Sequence, residues 1–106
     1  MSGKRYSLKF NQKAYEDIDQ IFSYITEILY NEVAAENLID KIEQSVRRLQ
    51  EFPYSCSYVS DDLLKEKGYR KLVVDNYIVF YLVDETEKRV IVMRILFGAQ
   101  KYEGLL

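Results

Sequence analysis

Hydrophobic and polar positions follow first a strand period and then a helical one along this chain, and each change of pattern marks an element boundary. Arg5–Phe10 places Tyr6, Leu8 and Phe10 opposite Arg5, Ser7 and Lys9, the two-residue period of a half-buried edge strand. Asn11 offers a helix N-cap, and the period then lengthens. Ala14, Ile18, Ile21, Phe22, Ile25 and Leu29 fall on one helical stripe, with Glu16, Asp17, Asp19 and Glu27 on the other side, so Gln12 to about Tyr30 is expected to be an amphipathic helix. A second stripe of Ala35, Leu38, Ile39, Ile42, Val46, Leu49 and Phe52 follows the break near Tyr30-Asn31, and Pro53 ends it. So short a connection predicts an antiparallel helical hairpin.

Tyr54–Gly68 connects this hairpin to the strands and holds a short predicted helix, with Ser60 as cap, Asp61 and Asp62 in its first turn and Gly68 as its stop. The run from Tyr69 to Phe97 is then the densest concentration of β-branched and aromatic residues. It divides into Tyr69–Val74, Tyr77–Val83 and Arg89–Phe97, with Asp75-Asn76 as a two-residue hairpin loop and Asp84–Lys88 as a charged turn. The middle strand, YIVFYLV, does not alternate, so it is expected to be central and covered on both faces. The first strand is expected beside the last. The whole reads as one α+β domain over residues 1–106, an antiparallel β-sheet with an N-terminal strand, a two-helix hairpin on one face and a C-terminal three-strand meander.

A two-residue loop at Asp75-Asn76 pairs Val74 with Tyr77, Leu72 with Val79 and Arg70 with Tyr81. Both faces of the hairpin are then apolar, and one helical hairpin covers only one of them. Either Tyr54–Gly68 and the tail Gly98–Leu106 close the other face, or a partner does. A large apolar face left open points to a partner groove built from Leu72, Val74, Tyr77 and Val79, with Leu105 and Leu106 from the tail.

Composition narrows the chemistry. The chain has no His and a single Cys, Cys56, which exclude His-based zinc sites, Ser-His-Asp or Cys-His catalysis and internal disulfides. No Gly-rich phosphate loop occurs among four glycines, and no cofactor is implied. The basic N-terminal segment lacks the apolar core of a signal peptide, no apolar run approaches the roughly 20 residues that span a bilayer, and the lone Cys suits a reducing cytoplasm. Net charge is −2, with +3 in residues 1–10 (Lys4, Arg5 and Lys9), −6 in residues 11–68, +2 in residues 69–101 and −1 at Glu103. Such a chain is a poor general binder of nucleic acid, although a local basic patch on the sheet stays open.

The cations at strand positions are Arg70, Lys71, Arg89 and Arg94. Arg94 lies within VIVMRILF and requires a partner, either a helix acid or tail carbonyls, or else a bound anion. Arg70 starts a strand near Tyr81 and is the stronger candidate for a site. Tyr77, Tyr81 and Tyr102 could stack bases or move protons, although packing explains most tyrosines.

The order and spacing of AYEDIDQIFSYI, LQEFP (Leu49–Pro53), YRKLVVDNYIVFYLV (Tyr69–Val83) and VIVMRILFG (Val90–Gly98) resemble the RelE/ParE superfamily of toxins from bacterial type II toxin–antitoxin systems, over nearly the whole chain. The resemblance implies a small cytoplasmic toxin neutralised by a cognate antitoxin. It implies one of two actions: inhibition of DNA gyrase by binding, in the ParE arm, or cleavage of mRNA at the ribosome, in the RelE arm. Arg70 matches a basic position of the family. The catalytic arginine of the nuclease arm falls at Ile78, the Arg after the last strand's Gly at Gln100, and the common His at Phe97. A nuclease here would have to work with Arg70, Arg94, Tyr81 and Tyr102. The ParE-like action, which is not an enzymatic one, is therefore preferred, with an atypical ribosome-dependent endoribonuclease or an inactive remnant as alternatives.

Overall fold

A computed structural model describes residues 5–102 and 104–106; Lys4 and Glu103, counted above for their charge, lie outside them. The elements follow the expected order. Strand β1 (Ser7–Phe10) leads into α1 (Gln12–Ser23), which continues as a π-helical turn (Tyr24–Ile28). Helix α2 (Glu32–Arg48), the short α3 (Asp62–Glu66), β2 (Arg70–Val74), β3 (Tyr77–Asp84) and β4 (Arg89–Phe97) complete the chain. Side-chain caps start the helices. Asn11 Oδ1 accepts from Lys13 N–H and Asn31 Oδ1 from Ala34 N–H. Asp61, not Ser60, caps α3 by accepting from Leu64 N–H, so that helix begins one residue later than its sequence suggests. Gly68 ends it at φ +92°, a conformation that favours glycine.

Both long helices depart from their predicted stripes near their ends. In the π-helical turn, Leu29 N–H bonds to the Tyr24 carbonyl five residues back. The wider turn rotates the register, so Ile25 remains in the core while Ile28 and Leu29 swing outward, Leu29 to 54% exposure. Helix α2 stops at Arg48 because the next three N–H groups reach back only three residues, tightening the chain before Pro53. Leu49 is still buried, but Phe52, expected on the stripe, faces solvent.

The sheet order is β1-β4-β3-β2, with β1 parallel to β4 and the remaining pairs antiparallel. Register follows the two-residue loop: Val74 opposes Tyr77, Leu72 opposes Val79 and Arg70 opposes Tyr81. A bulge in β4 breaks the alternation, since Phe80 opposes Arg94 while Tyr81 opposes Val92. Its effect is visible in the packing. Val92 and Ile95, three positions apart, both enter the core beneath the helices, and Met93 and Leu96 both enter the core on the opposite face.

Two cores therefore sandwich the sheet. On one face Ala14, Ile21, Ile25, Leu38, Ile42 and Val46 of the helices pack on Val74, Val79, Val92 and Ile95. On the other, Val59, Leu64 and Tyr69 of the connector and Tyr102 and Leu106 of the tail pack on Phe80, Leu96, Ile78 and Met93. This corrects the expected open groove. Leu72, Val74, Tyr77 and Val79 lie on the helix-covered face, where Val79 is fully buried, because hairpin register places them there. The connector and the tail cover the second face over Phe80 and Leu96 and partly over Ile78, while Val73 on the edge strand stays 62% exposed.

Candidate functional site

The charged groups of the sheet are distributed by where β1 ends. Strand β1 pairs with β4 only as far as Val92, and beyond it α1 runs along the vacated edge. Asp17 of α1 takes the place of a strand there: its Oδ2 accepts the Ile95 N–H at 2.9 Å. The same carboxylate holds Arg94 in a bidentate pair, Nε to Oδ2 and Nη2 to Oδ1, both 2.8 Å. Arg94 Nη1 donates to the Leu105 carbonyl at 2.9 Å and so pins the tail. The side chains of Asp17 and Arg94 are only 6% and 16% exposed. The Asp17 hydrogen bonds push Arg94 above its ordinary pKa. Of the roles considered for Arg94, the structure shows both structural ones at once, a helix acid and a tail carbonyl.

Arg70 lies on the opposite edge of the sheet. Its Nη1 donates to the Cys56 carbonyl at 2.6 Å, and its guanidinium sits 4.0 Å from the Tyr58 ring centre and 5.0 Å from that of Tyr54. Tyr54 continues the cluster by donating to Glu85 Oε1, which also accepts from Tyr6 Oη at 2.7 Å, while Lys88 binds Oε2. Sequence reasoning missed this cluster. Its members lie up to 82 positions apart, and only the parallel pairing of β1 with β4 brings Tyr6 to the β3–β4 turn. The hydrogen bonds from Lys88, Tyr54 and Tyr6 pull the Glu85 carboxyl from 4.5 down to about 2, and the anion in turn pushes Tyr54 well above the ordinary tyrosine range.

A pH dependence with a definite sign follows. Because the folded-state pKa is depressed, the contribution of the Glu85 cluster is fully present above pH 4.5 and disappears as pH falls toward about 2. A carbon-detected NMR titration is expected to find Glu85 titrating near that lower value. Removing the two phenol donors, Tyr6→Phe with Tyr54→Phe, is expected to move it back up; an unchanged titration would show that these hydrogen bonds do not hold the anion.

The four residues available to a nuclease are not gathered into one site. Tyr81 is fully buried among Leu49 and Val90 and donates its hydroxyl to the Pro53 carbonyl at 2.9 Å; burial is the main cause of its raised pKa. Tyr102 lies on the other face of the sheet, its ring 4.7 Å from that of Phe80. Arg70 and Arg94 occupy separate strands and separate partners. Among the described residues no group of three or more acid or Cys side chains could hold a metal ion, and no helix is long and apolar enough to cross a membrane. Of the six residues expected to bind a partner, Tyr77 and Leu105 meet in a cleft of about 370 Å³ that Tyr24, Gln100 and the Asp17–Arg94 pair also line.

Comparison with known proteins agrees with this architecture. Over residues 8–102 the chain matches the family profile described as the ParE toxin of the type II toxin–antitoxin system parDE. Among solved structures it is similar to a chain of the chromosomal ParDE system from P. aeruginosa, at 22% identity and TM-score 0.72, covering 90% of this chain and 98% of that one. It is also similar to a chain of the RelBE2 toxin–antitoxin complex from Mycobacterium tuberculosis, at 16% identity and TM-score 0.59, covering 88% and 98%. A third likeness is to E. coli toxin RelE in the free state, at 14% identity and TM-score 0.63, covering 94% and 86%. No curated protein sequence matches the chain. With the profile spanning almost its whole length, the chain belongs to the ParE toxin family of type II toxin–antitoxin systems, within the RelE/ParE superfamily.

Proposed function

We propose that this toxin is a binding inhibitor of DNA gyrase, without a hydrolytic site of its own, and that a cognate antitoxin neutralises it in the cytoplasm. The observation that carries the reading is the filled second face of the sheet. Ile78 and Phe80 stand there with Tyr102 and Leu106 packed against them. Cleavage through a 2′-hydroxyl needs a base, an acid and a stabiliser of developing phosphorane charge held within reach of one phosphate. Here Arg94 is neutralised by Asp17, Arg70 is engaged by Cys56 and two tyrosines, and Tyr81 is buried with its hydroxyl committed to the Pro53 carbonyl. The match to the ParE profile supports the same arm of the superfamily. Tyr77, Leu105 and their cleft are where an antitoxin segment could reach the tail.

Induction of the toxin alone, with supercoiling and transcripts followed separately, tests this. Plasmid supercoiling is expected to fall while mRNA stays intact, and purified toxin is expected to inhibit purified gyrase. Prompt mRNA cleavage with normal supercoiling would establish the ribosome-dependent endoribonuclease instead, and the absence of any growth effect would establish an inactive remnant.

A further inference from the structure

The tip of the helical hairpin carries three features that neither the core nor the Asp17–Arg94 pair uses. Tyr24, Ile28, Leu29, Tyr30 and Val33 are all exposed, with Ile28-Leu29-Tyr30 consecutive. Scattered apolar side chains on a surface need no explanation, but a contiguous cluster marks an interaction site. The π-helical turn creates this one, since an uninterrupted α-helix would carry the stripe onward from Ile25 to Leu29. Such turns within helices recur at functional sites.

The second feature is Tyr30 itself. It is 86% exposed and holds φ +52°, the left-handed conformation at which helices usually stop with glycine. Glycine would make the same stop with less strain, and tyrosine instead sets an exposed aromatic ring at the tip. The third is charge. Between Ala14 and Asp40 the sequence has seven acids and no base. Asp17 is committed to Arg94, whereas exposed Asp19, Glu27, Glu32, Glu36 and Asp40 make no salt bridge among the described residues. Asp19 also borders a groove between α1 and α2 whose floor is Ile18, Phe22 and Ile39, with Glu36 and Asp40 on its rim.

We propose that the hairpin tip is the surface by which this toxin seizes its target, and that its occupant is a basic amphipathic segment of that protein, Lys or Arg flanking aliphatic residues at helical spacing. The inference rests on the binding-inhibitor reading above and names its contact surface. An acidic rim of this density repels nucleic acid and anionic lipid, and two tips of like charge repel each other, so a basic partner of a different kind is selected.

The test measures binding to purified gyrase holoenzyme and to a synthetic helical peptide of Leu and Lys, at low and high salt, with sedimentation and melting curves for every variant. The tip variants are Tyr30→Gly, Ile28→Ser with Leu29→Ser, and Glu27→Lys with Glu32→Lys; Leu63→Ser removes an exposed apolar residue elsewhere. Each tip variant is expected to lose about tenfold or more in affinity for both probes, while Leu63→Ser keeps it. Tyr30→Gly is expected to melt no lower than the parent, which separates lost contact from lost fold. Parent and tip variants binding gyrase equally would overturn the tip and leave the gyrase reading standing. If the parent does not bind gyrase, that reading falls and the peptide decides the tip: salt-sensitive binding lost in the variants upholds it, and no binding overturns it. A parent dimer that the tip variants dissociate would make a second copy the occupant and overturn the proposal.

Discussion

Asp17→Ala is expected to destabilise the toxin by about 3–5 kcal/mol, the range for breaking a buried ion pair by removing one partner. Two losses combine. Arg94 keeps its charge at 16% exposure with, among the described residues, the Leu105 carbonyl as its remaining hydrogen-bond partner, and Ile95 N–H loses the acceptor that stands in for a missing strand. For a chain of this length the melting temperature should fall by more than about 10 °C, which can consume most of the stability of an ordinary domain. The identity of the carboxylate matters less than its filling both roles. Asp17→Asn keeps an acceptor for Ile95, and Arg94→Met removes the orphaned charge, so the double variant should recover most of the loss. Chemical denaturation of the two singles and the double would measure the coupling. A cost below about 1 kcal/mol for Asp17→Ala would mean that water solvates Arg94 and that the pair is not a buried one.

The contrast between Asp17 and its neighbours shows what the sequence carries and what it hides. The sequence reading groups Glu16, Asp17 and Asp19 on the polar side of α1, yet Asp17 stands three residues after Ala14 and four before Ile21, at the margin of the buried stripe, and it alone of the three is buried. The distinction arises from β1 ending at Phe10, which leaves the β4 edge to α1. Arg94 was nevertheless legible as a residue in need of a partner, because a guanidinium within VIVMRILF cannot be left alone. Register was legible for a similar reason: a two-residue loop fixes parity, and parity fixes every pair in β2–β3. Parity then failed in β4, where the bulge lets Val92 and Ile95 share a face. The π-helical turn at Tyr24–Ile28 likewise follows no signal of period, so Leu29 looked like core. The tyrosine–Glu85 cluster depends on long-range pairing and could not have been found from local pattern.

The second face of the sheet supplies the other large effect. Phe80→Ala is expected to cost about 3–5 kcal/mol, the transfer free energy of the ring plus the cavity it leaves. Phe80 is fully buried between Leu96, the connector residues Val59 and Leu64, and Tyr102 of the tail. The connector is part of a closed loop of packing and cannot easily collapse into the space. The tail is held by less: the ring contact of Tyr102, the packing of Leu106 and one hydrogen bond from Arg94. Loss of the Phe80 ring should therefore release Tyr102 and residues 104–106 before it unfolds the sheet, which hydrogen exchange would register as faster exchange at those residues at a denaturant concentration that leaves β3 protected. Tyr102→Ala should produce the same release at smaller cost, and its effect should be less than additive with that of Phe80→Ala, because the two rings share one cavity. Additive losses would mean that the rings are independent. Global unfolding without prior tail release would mean that the tail belongs to the same cooperative unit as the sheet, and that the filled face is as rigid as the core beneath the helices.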